Sequence, residues 1–484
     1  MRPAANWESV IGLELHVQLA THSKIFSPAP TAYGARPNSQ VDWVDAGLPG
    51  TLPVLNRSAV EMAVKFGLAV DAEITDRSIF ARKNYFYPDL PKGYQISQYD
   101  RPIVSGGHFE IDTDEGTSKR IRLIRAHLEE DAGKSVHEGF RGKTGIDLNR
   151  AGVPLLEVVT APDLRSPREA GLAMRKLHTL VRYLGICDGN LAEGSFRCDA
   201  NVSIRPAGSE TFGTRVELKN INSFRFVERA IEFEIHRQIH RRVSGEDVVQ
   251  ETRLYDPDKN ETRSMRGKEE AEDYRYFPDP DLLPIPIDTT ILESARRSMP
   301  ELPDARKQRL IDLGVARADA VTLAGEPALG DYFDQVRAHV EADPQITANW
   351  VLVELVGGLK KRDLGVEASP VSPQDLAGLL ARIDDGTISG KIAKQVFEAM
   401  LAGEGDADAI IQARGLTQIT DADALTRQVA EVLERSETQI EQYLSGQDKV
   451  FNYFVGQVMA ATRGRANPDA VRELLIEELD KRKS

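Results

Sequence analysis

Cysteine and long apolar runs are what this sequence has least of. Among 484 residues only Cys187 and Cys198 are cysteines, too few for a disulfide framework or a thiolate zinc site. No uncharged apolar run approaches the ~20 residues that a membrane-spanning helix needs, and segment 1–8 lacks the apolar core of a secretory signal. We therefore expect a cytoplasmic protein with no membrane partner, whose two cysteines are small buried apolar residues.

Several catalytic motifs are also absent from the chain. It contains no Gly-x-Ser-x-Gly nucleophile elbow, no paired Cys-x-x-Cys, no kinase-type glycine loop and no dinucleotide glycine fingerprint. The run Gly133-Lys134-Ser135 resembles the end of a phosphate-binding loop, but such a loop needs a glycine five positions before Gly133, where Leu128 stands. The sequence thus offers no recognised machinery for hydrolysing an amide.

Positive charge is in deficit, because 61 Lys and Arg residues face 75 Asp and Glu residues, for a formal net charge of -14. Indiscriminate binding to nucleic acid needs concentrated positive charge, so this balance argues against it. Local basic patches that recognise the shape of a folded RNA remain compatible with the composition.

Length and composition predict about three globular domains, at ~150 residues per domain. Residues 1–293 mix strand-like and helix-like patterns, which predicts an α+β domain. The pattern beyond is helical throughout, and the segment 403–406, Gly-Glu-Gly-Asp, marks a second boundary. We predict an all-α helical domain over 294–406 and a small all-α tail domain over 407–484.

The stretch from Arg125 to Ser135 concentrates charge within a strand-like pattern. In an extended chain, side chains two apart share a face, so Arg125, His127 and Glu129 would project together. Three charged side chains on one strand also suit an ordinary solvated face. Neighbouring segments must decide between these two interpretations.

Two further strand-like segments carry carboxylates among apolar residues. Glu14 and His16 share a face of the strand predicted over 9–19, and Glu157 lies within the apolar run of 147–162. Together with Glu129 they offer three carboxylates and one imidazole, a set suited to magnesium or manganese held against a nucleotide phosphate. The alternative is that they are unrelated surface or ion-pairing groups.

Another strand-like segment, 193–203, places polar side chains on one face. Arg197 suits a bidentate phosphate contact, and Asp199 could add a metal ligand; a solvent-facing strand would give the same pattern. Lys83, Lys219 and Asn220 are candidates for neutralising transition-state charge. The alternating face comprises Ser195, Arg197, Asp199 and Asn201.

Long motifs in a fixed order resemble the B subunit of the aspartyl/glutamyl-tRNA amidotransferases, over essentially the whole chain. These motifs lie at 11–19, 82–89, 127–134, 147–157, 193–201, 217–220, 273–278 and 389–394. The resemblance implies a cradle-shaped α+β catalytic domain, a helical domain and a small tail that contacts tRNA. It also implies ATP-dependent conversion of misacylated Glu-tRNA(Gln), Asp-tRNA(Asn) or both to the amides. Two partners are implied as well, the glutaminase A subunit, from which ammonia is channelled, and a small C subunit.

By the same resemblance, the chain would bind ATP and Mg²⁺. We expect no zinc, because the loop over 26–56 lacks the cysteines that some relatives carry there. Alternatives are a noncatalytic tRNA-binding scaffold of the same complex and a metallohydrolase that removes the mischarged amino acid. The basic turn at 463–465 and the arginines after Phe224 are candidate RNA contacts, and solvated helix faces explain them equally well. The metal ligands that the resemblance implies are Glu14, His16, Glu129, Glu157 and Asp199. From side-chain chemistry we also predict the catalytic residues Lys83, Ser195, Arg197, Lys219 and Asn220, and the ATP contacts Arg197 and Lys219.

Overall fold

The computed structural model describes residues 7–113, 117–137, 139, 142–267, 273–417, 422–462 and 465–482. The chain divides into two compact units, residues 1–303 and 304–484. The first contains both strands and helices and the second only helices among its described residues. This confirms the predicted α+β fold followed by helical regions. No helix in the described part of the chain combines the length and the apolarity needed to cross a bilayer.

The first unit is built on a large sheet. In spatial order its strands run β15-β14-β13-β12-β1-β11-β8-β6-β2, with β7 paired to β8, and every pairing is antiparallel except that of β13 with β14. The strands are β1 (Trp7–Gln18), β2 (Glu73–Ile74), β3 (Arg77–Ser78), β4 (Ala81–Asn84), β5 (Tyr94–Ser97), β6 (Val104–Ser105), β7 (His108–Asp112), β8 (Ser118–Glu130), β9 (Lys134–Val136), β10 (Gly145–Asp147), β11 (Pro154–Thr160), β12 (Phe196–Pro206), β13 (Val216–Lys219), β14 (Glu251–Asp256), β15 (Glu261–Gly267), β16 (Phe277–Pro278) and β17 (Ile285–Pro286).

Strand β1 lies between β11 and β12 and shows a period of two. Leu13, Leu15 and Val17 are at most 1% exposed and face the core, so Glu14 and His16 project from the opposite face. The antiparallel register sets Glu14 opposite Asp199 of β12. A slip of one residue would exchange the two faces, so burial of the leucines fixes where the polar side chains point.

Helices cover the apolar face of this sheet. Helix α1 (Arg57–Ala69) packs against β8, α2 (Pro167–Tyr183) against β1 and α3 (Phe224–Val243) against β12, while α4 (Thr289–Arg297) packs on α1. The side chains of Asn56, Ser166 and Ser223 accept hydrogen bonds from first-turn backbone amides and so cap α1, α2 and α3. The polar face of the sheet is thereby left for the candidate site.

A buried ion pair holds the long loop between β1 and α1. Lys24, fully buried, donates to the Asp45 carboxylate at 3.0 Å, to the Gln40 carbonyl at 2.7 Å and to the Leu148 carbonyl at 3.3 Å. Gly152 adopts a φ of +81°, and a Cβ there would lie 2.6 Å from the Asp45 carboxylate. Side-chain bonds rather than regular secondary structure therefore order this loop.

The second unit contains two hydrophobic clusters. One comprises buried residues between Leu310 and Ile411, and the other comprises buried residues between Leu425 and Leu479. The boundaries at 293/294 and 406/407 stay predictions; Ala407, Ile410 and Ile411 of α12 pack in the first of these clusters. The helices are α5 (Pro303–Asp312), α6 (Arg317–Gly325), α7 (Pro327–His339), α8 (Pro344–Asn349), α9 (Val356–Lys360), α10 (Pro373–Asp384), α11 (Gly390–Leu401), α12 (Ala407–Arg414), α13 (Ala422–Glu434), α14 (Glu437–Leu444), α15 (Phe451–Ala461) and α16 (Pro468–Asp480), with a π-helical stretch at Trp350–Leu355.

Candidate metal and phosphate site

Adjacent strands bring the predicted carboxylates together on the polar face of the sheet. One ligand atom each from Glu14, His16 and Asp199 lie within 4.8 Å of one another, and so do atoms of His16, Glu129 and Glu157. His16 belongs to both groups because β1 lies between β11 and β12. The structure thus brings together all five residues that were predicted as metal ligands.

Burial separates this cluster from an ordinary solvated strand face. Glu129 is 3% exposed and Glu157 is 8% exposed, so the solvated-face alternative is wrong for both. Burial, together with the nearby charge of Glu157, raises the pKa of Glu14 to about 7. The carboxylates repel one another, and a bound cation would relieve that repulsion.

His127 is a member of the cluster to which the sequence patterns assign no role. Its Nε2 atom lies 3.5 Å from a Glu157 oxygen and 3.6 Å from a Glu129 oxygen, and the residue is 3% exposed. Burial disfavours the imidazolium, yet the adjacent Glu157 and Glu129 carboxylates raise the pKa of His127 above its usual value. The pKa of Glu129 is held low despite burial, chiefly by His127. The sequence feature that could have identified His127 is its position between residues 125 and 129 on one face of the strand.

The predicted ATP contacts, Lys219 and Arg197, are already paired with carboxylates. The Lys219 ammonium lies 2.6 Å from Asp199 and 3.0 Å from Glu217. The Arg197 guanidinium donates to Asp131 at 2.8 Å. Each of these cations thus positions an acidic side chain beside the cluster, and their contact with ATP stays a prediction.

Lys83 approaches the cluster from β4 with its charge unpaired. Among the described residues no carboxylate lies within the 4.0 Å of an ion pair, and the ammonium lies 4.9 Å from the ring centroid of Tyr274. The charge of Lys83 contributes to the low pKa of Glu129, so the ammonium stands within electrostatic reach of that carboxylate. Lys83 is available to an incoming anion.

Two of the predicted catalytic residues, Ser195 and Asn220, form no hydrogen bond or ion pair with the cluster in the described part of the chain. Ser195 is 8% exposed and immediately precedes β12, and within the described part of the chain its hydroxyl has no hydrogen bond to the cluster. Asn220 has a φ of +65°, and its side-chain amide donates to the Tyr255 carbonyl at 3.0 Å. Asn220 therefore shapes the turn after β13 rather than joining the cluster.

Tyrosines border the cluster in a row defined as Tyr87, Tyr85, Tyr274, Tyr276 and Tyr99. Successive ring centroids lie 6.1, 6.1, 6.2 and 4.3 Å apart, and the Tyr276 and Tyr99 rings are stacked. Burial and the nearby Glu129 both raise the pKa of the Tyr85 and Tyr276 phenols. The phenols of Tyr85 and Tyr276 therefore stay neutral, and their rings lie beside the acidic groups.

The carboxylate oxygens and the shared imidazole of His16 suit a hard divalent cation. The nearby Lys83 ammonium suits the phosphate oxygens that such a cation attracts. Cys187 and Cys198 are free and buried, as predicted, and neither belongs to the two ligand groups. The geometry therefore favours phosphate chemistry on the polar face of the sheet.

Comparison with known proteins gives matches over nearly the entire chain. The family model described as "GatB/GatE catalytic domain" matches residues 9–293, and that described as "GatB domain" matches residues 331–479. Proteins named as the B subunit of aspartyl/glutamyl-tRNA(Asn/Gln) amidotransferase are 60% identical over 475 residues in Alkalilimnicola ehrlichii and 61% identical over 474 residues in Thioalkalivibrio sulfidiphilus. Each match covers 98% of this chain and 99% of the relative. The resemblance predicted from the motifs is confirmed: this chain belongs to the family of B subunits of the aspartyl/glutamyl-tRNA(Asn/Gln) amidotransferases.

Proposed function

We propose that this chain is the subunit of a tRNA-dependent amidotransferase that activates the side-chain carboxylate of misacylated Glu-tRNA(Gln), Asp-tRNA(Asn) or both. A carboxylate oxygen attacks the γ-phosphorus of ATP, which releases ADP and leaves an acyl phosphate. Ammonia then attacks the acyl carbon and displaces phosphate, which gives the amide. The glutaminase partner, the A subunit, supplies the ammonia by hydrolysing glutamine, and the complex is completed by a small C subunit.

One observation carries this proposal: a buried carboxylate cluster with an unpaired lysine beside it, in a chain of this family. The ligand atoms form two triads that share His16, with the atoms of each triad within 4.8 Å of one another. Burial, together with the acidic surroundings, raises the pKa of Glu14 to about 7. Such an oxygen-rich, negatively charged set suits a magnesium ion. When bound, magnesium would neutralise negative charge on the ATP phosphates and on the transferred group. Glu14, His16, Glu129, Glu157 and Asp199 would hold it.

The remaining side chains orient the reactants and exclude water. His127 fixes the Glu129 and Glu157 carboxylates by lying between them, and Lys219 does the same for Asp199. Lys83 would contribute positive charge to the phosphoryl group in transfer, where electrostatic stabilisation is the main catalytic term. The row of tyrosines would keep bulk water from the acyl phosphate, which hydrolysis would otherwise destroy.

The substitution Glu129→Gln tests the catalytic assignment, because it keeps the shape of the side chain and removes its charge. In the reconstituted heterotrimer we expect ATP-dependent amidation of Glu-tRNA to fall more than ~100-fold. We also expect weaker binding of Mn²⁺ by the free chain. Glu61→Gln is the matched control, since Glu61 pairs with Arg57 on the surface of α1.

Two other outcomes would replace the proposal. Unchanged amidation by the Glu129→Gln complex, with tRNA still bound, would make this chain a noncatalytic scaffold. Bare tRNA and free glutamate as the products of the unaltered complex, with no amide, would make it a deacylating metallohydrolase. Assaying the unaltered complex with both Glu-tRNA(Gln) and Asp-tRNA(Asn) identifies the substrate.

A further inference from the structure

Arg125 lies on the same face of β8 as His127 and Glu129. The pairing of β8 with β11 sets Arg125 opposite Val159 and His127 opposite Glu157. Four residues of strand separate Arg125 from Glu129, which is about 13 Å between their Cα atoms. The half-buried guanidinium therefore borders the carboxylate cluster on its His127 side.

The charge of Arg125 has no partner within the protein as described. Among residues 7–113, 117–137, 139, 142–267 and the rest of the described chain, no carboxylate lies within 4.0 Å of this guanidinium. Its Nε atom is buried and has no hydrogen-bond acceptor. A buried donor without an acceptor destabilises the protein, so an external acceptor that completes it would be bound favourably.

Other basic side chains around the cluster differ from Arg125 in having a carboxylate partner, although the Nε atom of Arg197 is likewise buried without an acceptor. Arg197 lies 2.8 Å and Arg150 lies 3.7 Å from the same Asp131 oxygen, and Lys219 pairs with Asp199 and Glu217. Within the described part of the chain, Lys83 and Arg125 approach the cluster without a carboxylate in ion-pair range.

The surroundings of Arg125 indicate the chemistry of the missing acceptor. A phosphate group bound by a cation in the cluster could extend towards Arg125 and offer it several anionic oxygens. A guanidinium binds two phosphate oxygens at once through parallel N–H groups, which an ammonium cannot do. Tyr276 lies within the electrostatic influence of both Arg125 and the Glu129 and Glu157 carboxylates, so the guanidinium and the acidic cluster border a common space.

We propose that Arg125 binds a substrate phosphate group beside the carboxylate cluster. This inference rests on the proposed function and gives a role to a residue whose sequence context indicates none. The phosphate belongs either to ATP or to the terminal phosphodiester of the aminoacyl-tRNA, and the chemistry of recognition is the same for both.

The test compares Arg125→Lys and Arg125→Ala with Arg122→Lys in the heterotrimer. Arg122 is a suitable control because it lies on the same strand and pairs with Asp163 at 2.6 Å on the surface. We expect Arg125→Lys to raise the KM for one substrate by about tenfold, since a single ammonium replaces a bidentate contact. Added guanidinium ion should restore activity to Arg125→Ala, and the control should change neither KM.

Each result has a defined meaning. A higher KM for ATP, with weaker calorimetric binding of a non-hydrolysable ATP analogue, assigns the contact to the nucleotide, and a higher KM for Glu-tRNA assigns it to the tRNA. Unchanged KM values without guanidinium rescue, in variants that melt at the temperature of the unaltered complex, would overturn the inference. An unaltered complex that shows no ATP-dependent amidation would instead refute the proposed function.

Discussion

Removing the Lys24 ammonium should destabilise the first unit far more than removing a surface cation. Lys24→Met leaves the Asp45 carboxylate, 4% exposed, without its cation. It also removes the ammonium donor from the Gln40 carbonyl and from the Leu148 carbonyl, which keeps the Ala151 amide as a donor. Breaking a buried ion pair from one side costs about 3–5 kcal/mol. The loss of three hydrogen bonds, at about 1 kcal/mol each, is consistent with that range.

This cost can be measured by unfolding the purified chain in urea. The transition to monitor is the one that reports unfolding of the first unit. The control is Arg57→Ala, because Arg57 is 68% exposed and its i,i+4 pair with Glu61 contributes under about 0.5 kcal/mol. A double-mutant cycle with Asp45→Asn isolates the coupling between the two charges. A Lys24→Met cost below about 1 kcal/mol would refute the argument that this pair orders the loop.

Two further predictions concern the thiols and the tail. Burial raises the pKa of the Cys187 thiol to about 12, so a thiol reagent at pH 8 should label it only after denaturant is added; labelling of the native chain would contradict its burial. The unfolded thiol ionises near pH 8.5. Because its pKa in the folded protein is higher, the contribution of Cys187 to stability is fully present below about pH 8.5 and is lost as the pH rises towards the folded-state pKa of about 12. Ending the chain after Thr417, which spares α12 and the first cluster of the second unit, should weaken tRNA binding more than it lowers ammonia-dependent turnover at saturating tRNA; equal losses would assign the tail to the support of catalysis.

Much of the site could be predicted because its residues lie on strands with a simple period. Leu13 and Leu15 alternate with Glu14 and His16, so the sequence alone indicates which side chains share a face. The antiparallel register that sets Glu14 opposite Asp199 depends on pairing between segments far apart in the chain, and no local pattern encodes it. The convergence of the ligands could therefore be proposed from the sequence, but the distances between them required the structure.

The roles of individual side chains were harder to predict, because each depends on which partner the fold places beside it. Lys219 and Arg197 were predicted to contact ATP because of their charge, but only the structure places Asp199 and Asp131 against them. The sequence assigns His127 no role for the same reason, because its partner Glu157 lies on another strand.

Tertiary contacts also override the helical pattern of α3. The helical spacing of apolar residues in this segment predicts a buried stripe through Val227 and Ile231, and both are buried, yet Glu234 on the same helix is fully buried as well. Arg237 compensates its charge at 2.8 Å, and Gln238 donates a hydrogen bond to it. Hydropathy alone would have placed this carboxylate in solvent. The segment 114–116, Asp-Glu-Gly, predicts a hairpin turn and lies outside the described residues, as do residues 463 and 464 of the candidate RNA contact at 463–465.

The central position of β1 has a consequence for the order of events during synthesis. His16 is made well before its partners on β11 and β12, the last of which is Asp199. The cation site can therefore form only after the ribosome has made all of the chain between these two residues, and sheet contacts this distant in sequence form slowly. Until then β1 is an unpaired strand that needs protection from aggregation.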